Sequence, residues 1–299
     1  MLISLFNNEE EHPGYQPIRV LRHNIELSFI NYNPIFVNEF PYLNAKGYLS
    51  KNINYSINEL PIFCANQSQL PYIQNATIHL HEIFLAYLWS TCFAIHTPFY
   101  KTVHEKVIFE NDIFLANECK EQMKFAQNIK TTYQLLDKHH RLNPELFEVS
   151  YTNIIGITNA MYVNALNFIL SHEFAHAKYR LFAGTKEDEK RADYEATQLL
   201  IKGSKDDNDF GNKAIAGLLG LGADMLLKRC ICSQDHPDTD KRIVDYIENL
   251  GITDEINEVW ALACVIYAYW DNEYKYNLDF LQNDMFLSYK KRFLNLVKQ

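Results

Sequence analysis

The feature that most constrains this chain is the pentapeptide His172-Glu173-Phe174-Ala175-His176. Histidines four residues apart in a helix lie one turn apart on the same face, so both imidazoles can bind one Zn²⁺. Glu173, beside the first histidine, can reach a metal-bound water and act as a general base. With 11 histidines in the chain, roughly three in a hundred such chains contain this pattern by chance. Two histidines hydrogen-bonded within a core therefore remain the alternative.

The residues around the motif predict two helices. Apolar residues precede it at helical spacing, which predicts a long buried helix over residues 160–182 that ends near Gly184. Thr185 followed by Asp188 is a variant of the capping box, which predicts that a second helix begins at once and covers residues 186–202. Since the connection is short, we expect the two helices to pack antiparallel.

Two carboxylates of the second helix fall opposite the histidines. Counted from the end of the first helix at Phe182, His176 lies about 9 Å down, and Glu189 about 6 Å down the second helix. Asp193, about 12 Å down, is level with His172. This predicts that Glu189 is the third metal ligand and leaves an open position for water. Asp193 would then accept the free N–H of His172.

An ordinary solvated helix face is the alternative for these carboxylates. The run from Lys186 to Arg191 is entirely charged, as on many exposed helices. Glu187 or Asp193 could also replace Glu189 as the ligand. Small side chains at Ala192 and Ala196 would allow the helices to approach closely.

Two further histidine motifs are open to more than one interpretation. His236, before Pro237 and a predicted helix, is either a hydrogen-bond donor to the transition state near the zinc or a simple loop histidine. Arg242, in that helix, is expected to anchor it rather than to contact substrate. His79 and His81 could chelate a metal only on a strand face; they precede a run of helical period, which favours surface or core roles.

The rest of the chain predicts an α+β fold dominated by helices. Residues 1–77 are predicted to be irregular and strand-rich, because the segments Ile25–Ile30 and Ile53–Ile57 alternate and prolines punctuate them. Residues 78–299 are predicted to be the helical catalytic part, within one compact unit. Further helices are predicted at residues 78–95, about 118–138, 213–229, 239–249 and 256–269, and a strand pair at Val107–Phe114.

Composition limits the partners and the compartment. The net charge of −9 argues against binding nucleic acid or an anionic membrane through a basic face. The long uncharged stretches Ile83–Tyr100 and Val149–Ser171 contain polar residues that would be costly in lipid, so neither predicts a membrane span. The N-terminus does not resemble a signal peptide. Six cysteines without a C-x-x-C pair suggest reduced thiols, so we expect a cytoplasmic protein.

The motifs together resemble known metallopeptidases. His172-Glu173-x-x-His176 followed by Glu189-Lys-Arg-Ala192-Asp193 resembles the gluzincin pattern, which implies a zincin-like fold with an antiparallel helix that carries the glutamate ligand. The segment from His236 to Ile243 resembles an element of HtpX-type peptidases, but those enzymes have membrane helices.

The chain as a whole is similar to the Lit-type phage-exclusion peptidases, which are soluble bacterial chains of about this length. This resemblance implies cleavage of a host translation factor, elongation factor Tu, as a suicide defence against phage. It also implies latent activity that an activating peptide or phage protein triggers.

The leading hypothesis is therefore a zinc-dependent endopeptidase that acts on a protein substrate. His172, His176 and Glu189 would hold Zn²⁺, Glu173 would act as the base, and His236 is a further catalytic candidate. A housekeeping peptidase with another substrate is the first alternative. A metal-containing regulatory or binding protein without proteolysis is the second.

Overall fold

The computed structural model describes residues 17–31, 34–50, 53–56, 63–64, 67–68, 70–108, 111–131, 153–229, 238–278 and 288–298. The described helices are α1 (Pro17–Asn31), α2 (Pro34–Ala45), α3 (Glu82–Val103), α4 (Ile113–Thr131), α5 (Ile154–Tyr179), α6 (Lys186–Ile201), α7 (Asp207–Leu227), α8 (Thr239–Asn249), α9 (Glu258–Tyr274) and α10 (Tyr289–Val297). The described strands are β1 (Asn54–Ser56), β2 (Phe63–Cys64), β3 (Gln67–Ser68), β4 (Tyr72–Gln74) and β5 (Thr77–His81). The architecture is predominantly helical with small sheets, which fits the predicted α+β class.

Helix α5 is the centre of the fold. It begins where the side chain of Asn153 accepts a hydrogen bond from the backbone N–H of Gly156, and it packs against α1, α3, α6 and α7. Among the described residues, α5 alone has the length and apolar composition of a membrane span. Most of it is buried among the other helices, as expected for the core helix of a folded domain. The metal motif lies near the C-terminal end of this buried helix.

Hydrogen bonds from large aromatic side chains link α3 to its neighbours. The indole N–H of Trp89 donates to Oδ1 of Asn159 on α5 over 2.9 Å. The hydroxyl of Tyr87 donates to the carbonyl of Ala223 on α7 over 3.1 Å. All the polar atoms of these contacts are buried, and pairing removes the free energy penalty of burying them alone. The two helices that flank α5 are thus fixed relative to each other.

The three-stranded sheet has the order β1-β5-β4. β1 is parallel to β5, whereas β4 and β5 form an antiparallel hairpin. Its two-residue turn, Asn75-Ala76, has positive φ angles of 50° and 62°, as a type I′ turn requires. Ile78 and Leu80 of β5 point into the core, and α3 follows β5 directly. β4 is therefore an edge strand of this sheet within the described residues.

The strand predicted at Ile25–Ile30 is wrong, because these residues belong to α1. Leu21, Ile25 and Phe29 are spaced four residues apart and are all buried, so they form one buried face of a helix. The apparent alternation of apolar residues arises because Ile25 and Phe29 also fit the period of a strand. The strand within Ile53–Ile57 is confirmed by β1. The N-terminal part thus begins, in its described residues, with two helices, and the division at residue 77 stays a prediction.

Helix boundaries differ from prediction at both ends: α3 ends at Val103 rather than near residue 95, and α9 ends at Tyr274 rather than near residue 269. The helix predicted from residue 78 begins at Glu82, because β5 occupies the preceding residues. The predicted strand pair at Val107–Phe114 is wrong, since α4 begins at Ile113 and residues 107–108 are irregular. The helix predicted at residues 239–249 is confirmed as α8, and α10 was not predicted.

Candidate metal centre

Helix α5 ends three residues earlier than predicted. Its last residue is Tyr179, and Arg180 adopts the left-handed conformation with φ 58°, so that the chain turns back at this point. The guanidinium group of Arg180 stacks on the ring of Tyr48 at 4.2 Å, which helps to hold this conformation. The turn directs Leu181 into the protein, where its side chain is buried and its carbonyl accepts a hydrogen bond from Nδ1 of His176 at 2.7 Å. Gly184, predicted as the helix terminator, instead lies in the connection with φ 65°.

The observed helix ends place each histidine of α5 level with the carboxylate that was predicted to face it on α6. His176 lies three residues before the end of α5, and Glu189 three residues after the start of α6. His172 and Asp193 each lie seven residues from the same ends, about 10 Å at the helical rise. The predicted cap is confirmed: Thr185 Oγ1 accepts a hydrogen bond from the N–H of Asp188 at 3.1 Å. The register of the helix pair therefore brings a carboxylate to each histidine.

Three ligand side chains converge at the centre of this helix pair. Nε2 of His172 lies 3.0 Å from Nε2 of His176. Glu189 Oε2 lies 3.3 Å from the first of these nitrogens, and Glu189 Oε1 lies 3.4 Å from the second. Among the described residues, His172, His176 and Glu189 form a group whose ligand atoms all lie within 4.8 Å of one another.

The hydrogen bonds of the two imidazoles leave the correct nitrogens for a metal. His172 donates from Nδ1 to Asp193 Oδ1 at 2.9 Å, and His176 donates from Nδ1 to the carbonyl of Leu181. In the neutral tautomers the two Nε2 lone pairs then face each other and the Glu189 carboxylate. Ligands bound tetrahedrally at usual zinc distances lie about 3.3–3.6 Å apart, close to the separations observed here. The donor set and its geometry therefore fit a divalent metal ion.

Burial and charge control protonation in this centre. The histidines and the three nearby carboxylates, Glu173, Glu189 and Asp193, are all buried. Burial lowers the pKa of His172, but Asp193 and Glu189 raise it more strongly, to about 10. Without metal, a proton on His172 thus neutralises part of the carboxylate charge, and a metal ion can replace it. Burial also raises the pKa of Glu173.

Arg242 of α8 binds the carboxylate of Asp193, which is the hydrogen-bond partner of His172. Burial raises the pKa of Asp193, but the Arg242 guanidinium overcomes this effect and holds that pKa well below its usual range. Nη1 of Arg242 also donates to Asp224 of α7 at 3.2 Å. The prediction that Arg242 anchors its helix is consistent with these contacts. Sequence reasoning missed both of its partners, because they lie on helices whose packing has no local sequence signal.

The centre opens into a cavity of about 650 Å³. His172, His176, Glu173 and Glu189 line one side of it. Apolar side chains and the edge strand β4 form other walls; the residues are Leu70, Pro71, Tyr72, Ile73, Gln74, Asn75, Phe84, Phe168, Leu221 and Phe182. The cavity thus combines a polar candidate metal centre with apolar walls that can contact the apolar groups of a ligand.

Within the described residues, the outer edge of β4 has no strand partner, so it offers main-chain hydrogen bonds to a ligand in the cavity. In the β4–β5 hairpin, Gln74 pairs with Thr77 across the two-residue turn, and Ile73 pairs with Ile78. Hydrogen-bonded and non-hydrogen-bonded pairs alternate, so the N–H and C=O of Ile73 point away from β5. An extended peptide can add to such an edge as a further strand.

Several predicted residues lie elsewhere. His236 lies outside the described residues. Glu187 is exposed, and Asp193 faces Nδ1 of His172 rather than the metal nitrogens, so neither is placed to replace Glu189. His79 and His81 lie on β5 rather than in a helix; His79 stacks on Tyr72 with a ring separation of 4.6 Å.

Comparison with known proteins identifies one family whose model covers the candidate metal centre. A model of the family described as Peptidase U49 matches residues 78–263, more than half of the chain, which includes α5, α6 and α8. No curated protein and no solved structure matches the chain. The zincin-like part of the predicted fold therefore stays a prediction.

Proposed function

The chain belongs to the Peptidase U49 family, and we propose that it is a zinc-dependent endopeptidase. The observation that carries the proposal is the convergence of His172, His176 and Glu189 on one point, with Glu173 in the same cavity. Two imidazoles and one carboxylate are the ligand set of zinc hydrolases that keep an open fourth position. The chain's peptidase family and this donor set thus point to the same chemistry.

Different residues of the site would carry out the separate steps of peptide hydrolysis. His172, His176 and Glu189 would hold the ion, which supplies a polarised carbonyl group and a water of lowered pKa. Glu173 takes a proton from the attacking water and delivers it to the nitrogen of the leaving amine. Burial raises the pKa of Glu173, which favours its taking the proton from the water. Asp193 keeps His172 in the tautomer that binds metal.

The cavity favours cleavage within a chain over removal of a terminal residue. Lys228 and Arg242 line the cavity, but each is paired with a carboxylate: Lys228 with Asp224, and Arg242 with Asp193 and Asp224. Among the described residues, these two cations are therefore not available to bind a substrate's terminal carboxylate. The edge of β4 instead suits the continuous main chain of an extended segment.

We further propose that the protein acts in phage defence in the cytoplasm. The family match is consistent with the resemblance to Lit-type peptidases, which implies elongation factor Tu as substrate and an activating peptide or phage protein as trigger. Three described cysteines, Cys92, Cys119 and Cys264, are free and buried, as in a reducing compartment. A trigger is required because constitutive cleavage of a translation factor would kill the host.

The decisive comparison is between the wild type and Glu173→Gln, which removes the base and keeps the shape of the side chain. We expect both proteins to bind one zinc ion. Glu173→Gln should lose peptide cleavage by about 10²–10⁴-fold, the usual contribution of a general base. Glu187→Gln, an exposed glutamate near the same site, is the matched control and should keep full activity.

The assay is bound-metal analysis together with proteomics of new protein N-termini in expressing cells, with and without phage infection. Wild-type activity should appear on infection as new N-termini in elongation factor Tu. Full activity of Glu173→Gln, or a wild type that binds no zinc, would contradict the enzymatic proposal. Cleavage of a different protein would contradict only the proposed substrate.

A further inference from the structure

We propose that Arg242 is a positioning residue of the metal centre, which acts through Asp193 to fix the orientation of His172. The inference rests on the proposed function, because it concerns the same metal site. Arg242 lies on α8, Asp193 on α6 and His172 on α5, so three helices contribute to one connected set of hydrogen bonds.

Arg242 holds both oxygens of the Asp193 carboxylate. Its Nε donates to Oδ2 at 2.7 Å, and its Nη2 donates to Oδ1 at 2.8 Å. This fork fixes the plane of the carboxylate as well as its position. Oδ1 also accepts the N–H of His172 Nδ1 at 2.9 Å. The plane that Arg242 imposes on Asp193 therefore determines where the imidazole of His172 points.

Arg242 is itself held from its other side. Its Nη1 donates to Oδ2 of Asp224, and Nζ of Lys228 lies 2.9 Å from Oδ1 of the same carboxylate. The result is a continuous chain of ion pairs that ends in a hydrogen bond: Lys228–Asp224–Arg242–Asp193–His172. Side-chain exposure falls along it from 32% at Lys228 to 5% at Asp193. The guanidinium group of Arg242 is thus held by Asp193 on one side and by Asp224 on the other.

Arginine is the residue type that this role requires. Its planar group donates two parallel hydrogen bonds to one carboxylate, whereas lysine offers a point charge on a flexible stem. A buried carboxylate without such a partner would be strongly destabilised and free to rotate toward other donors. Removal of a residue that accepts a hydrogen bond from a metal-binding histidine typically weakens metal binding by about 10–100-fold.

Charge alone predicts the opposite effect of removing Arg242. A guanidinium near a divalent cation repels it, so loss of the positive charge by itself would tighten metal binding. Loss of positioning would weaken binding, because His172 would no longer be held with Nε2 toward Glu189 and His176. The sign of the change in zinc affinity therefore separates the two roles.

The experiment measures the zinc dissociation constant by competition with a chromophoric chelator. The proteins are the wild type, Arg242→Gln, Asp193→Asn and the double variant. We expect Arg242→Gln to bind zinc about 10-fold more weakly or worse. In the Asp193→Asn background the same change should have less than a threefold effect, because Arg242 acts through that carboxylate. Arg191→Gln, an exposed arginine of α6 that stacks on Tyr179, is the matched control and should bind zinc as the wild type does.

Each remaining outcome has a defined meaning. Equal or tighter zinc binding by Arg242→Gln, or an equal loss in both backgrounds, would overturn the positioning role while the proposed function stands. A wild type that binds no zinc would overturn both. Should Arg242→Gln fail to fold, Arg242→Lys takes its place in the same cycle: it keeps the charge but lacks the fork, so we again expect weaker binding, and wild-type binding would overturn the inference.

Discussion

His176 donates a hydrogen bond from Nδ1 to the main-chain carbonyl of Leu181, only five residues later in the chain. A regular helix cannot place that carbonyl beside the ring, because its carbonyl groups point along the helix axis toward the C-terminus. The left-handed residue Arg180 makes the contact by turning the chain immediately after α5. The end of the helix is thus part of the candidate metal centre.

Substitution of Arg180 should reveal how much this turn contributes. Arg180→Val places a β-branched residue at φ 58°, which costs about 1–2 kcal/mol and should weaken zinc binding by moving the Leu181 carbonyl. Arg180→Gly also loses the contact with Tyr48 but accepts the same φ without strain. We expect Arg180→Gly to bind zinc more tightly than Arg180→Val, as measured by chelator competition. Equal affinities would show that the turn is not what positions the carbonyl.

The edge of β4 should contribute to substrate binding. Ile73→Pro removes an N–H that points away from β5, so the hairpin should survive, whereas a substrate loses one main-chain hydrogen bond. One such bond corresponds to about a tenfold rise in KM for a peptide that extends along the strand.

The control for this edge is Ile73→Val, which keeps the N–H and a β-branched side chain. Peptide hydrolysis at varied substrate concentration, with zinc content measured in parallel, separates the effects. An unchanged KM in Ile73→Pro, at full zinc occupancy, would exclude the edge of β4 as the substrate's docking strand.

Close packing of α7 against α8 should depend on Gly217. A Cβ atom at this position would lie 2.1 Å from the hydroxyl oxygen of Tyr246, whose O–H donates to the carbonyl of Ala214. Gly217→Ala must therefore displace a buried ring, and we expect a loss of about 1–3 kcal/mol in the free energy of unfolding. Gly211→Ala, in the first turns of the same helix, meets only Glu258 Oε1 at 3.8 Å and should be neutral or slightly stabilising. Urea denaturation tests both, and equal stability of the two variants would contradict this account.

The pairing of His172 with Asp193, and of His176 with Glu189, could be predicted from the sequence. Both depend on local regularities: the helical rise, the four-residue spacing and a short connection between antiparallel helices. Even an error of three residues at the end of α5 did not change which residues face each other. The same regularities explain why the Thr185 cap is confirmed.

The contacts of Arg242 could not be predicted in this way. Asp193 lies 49 residues away in the sequence, and Asp224 lies on a third helix, so the contacts depend on how three helices pack. The strand prediction at Ile25–Ile30 is wrong for another reason. A helical face and an alternating strand both bury Ile25 and Phe29, and they differ in that Ser28 is buried whereas Leu27 is only half-buried. Long-range packing decides both cases.

A buried histidine far from the motif should make the protein sensitive to acid. His96 of α3 is buried, and its Nδ1 has no hydrogen-bond partner in the described structure. Burial, with a smaller effect of the charge on His104, lowers the pKa of His96 to about 3. The rings of Phe99 and Tyr100 lie against it, and His104 is paired with Glu258 at 3.4 Å. Among the described residues, no carboxylate near His96 stabilises its charged form.

The sign of the effect follows from proton binding. Between pH 6.5 and about 3, an unfolded chain protonates His96 and the folded protein does not, so stability is complete above pH 6.5 and falls on acidification. The loss is about 1.4 kcal/mol per pH unit, or about 2 kcal/mol at pH 5. In urea denaturation of the metal-free protein, His96→Leu should therefore lose less stability than the wild type between pH 7 and pH 5. His23→Gln, which replaces an exposed histidine, should follow the wild type. Parallel curves for the wild type and His96→Leu would show that His96 is not the source of the acid sensitivity.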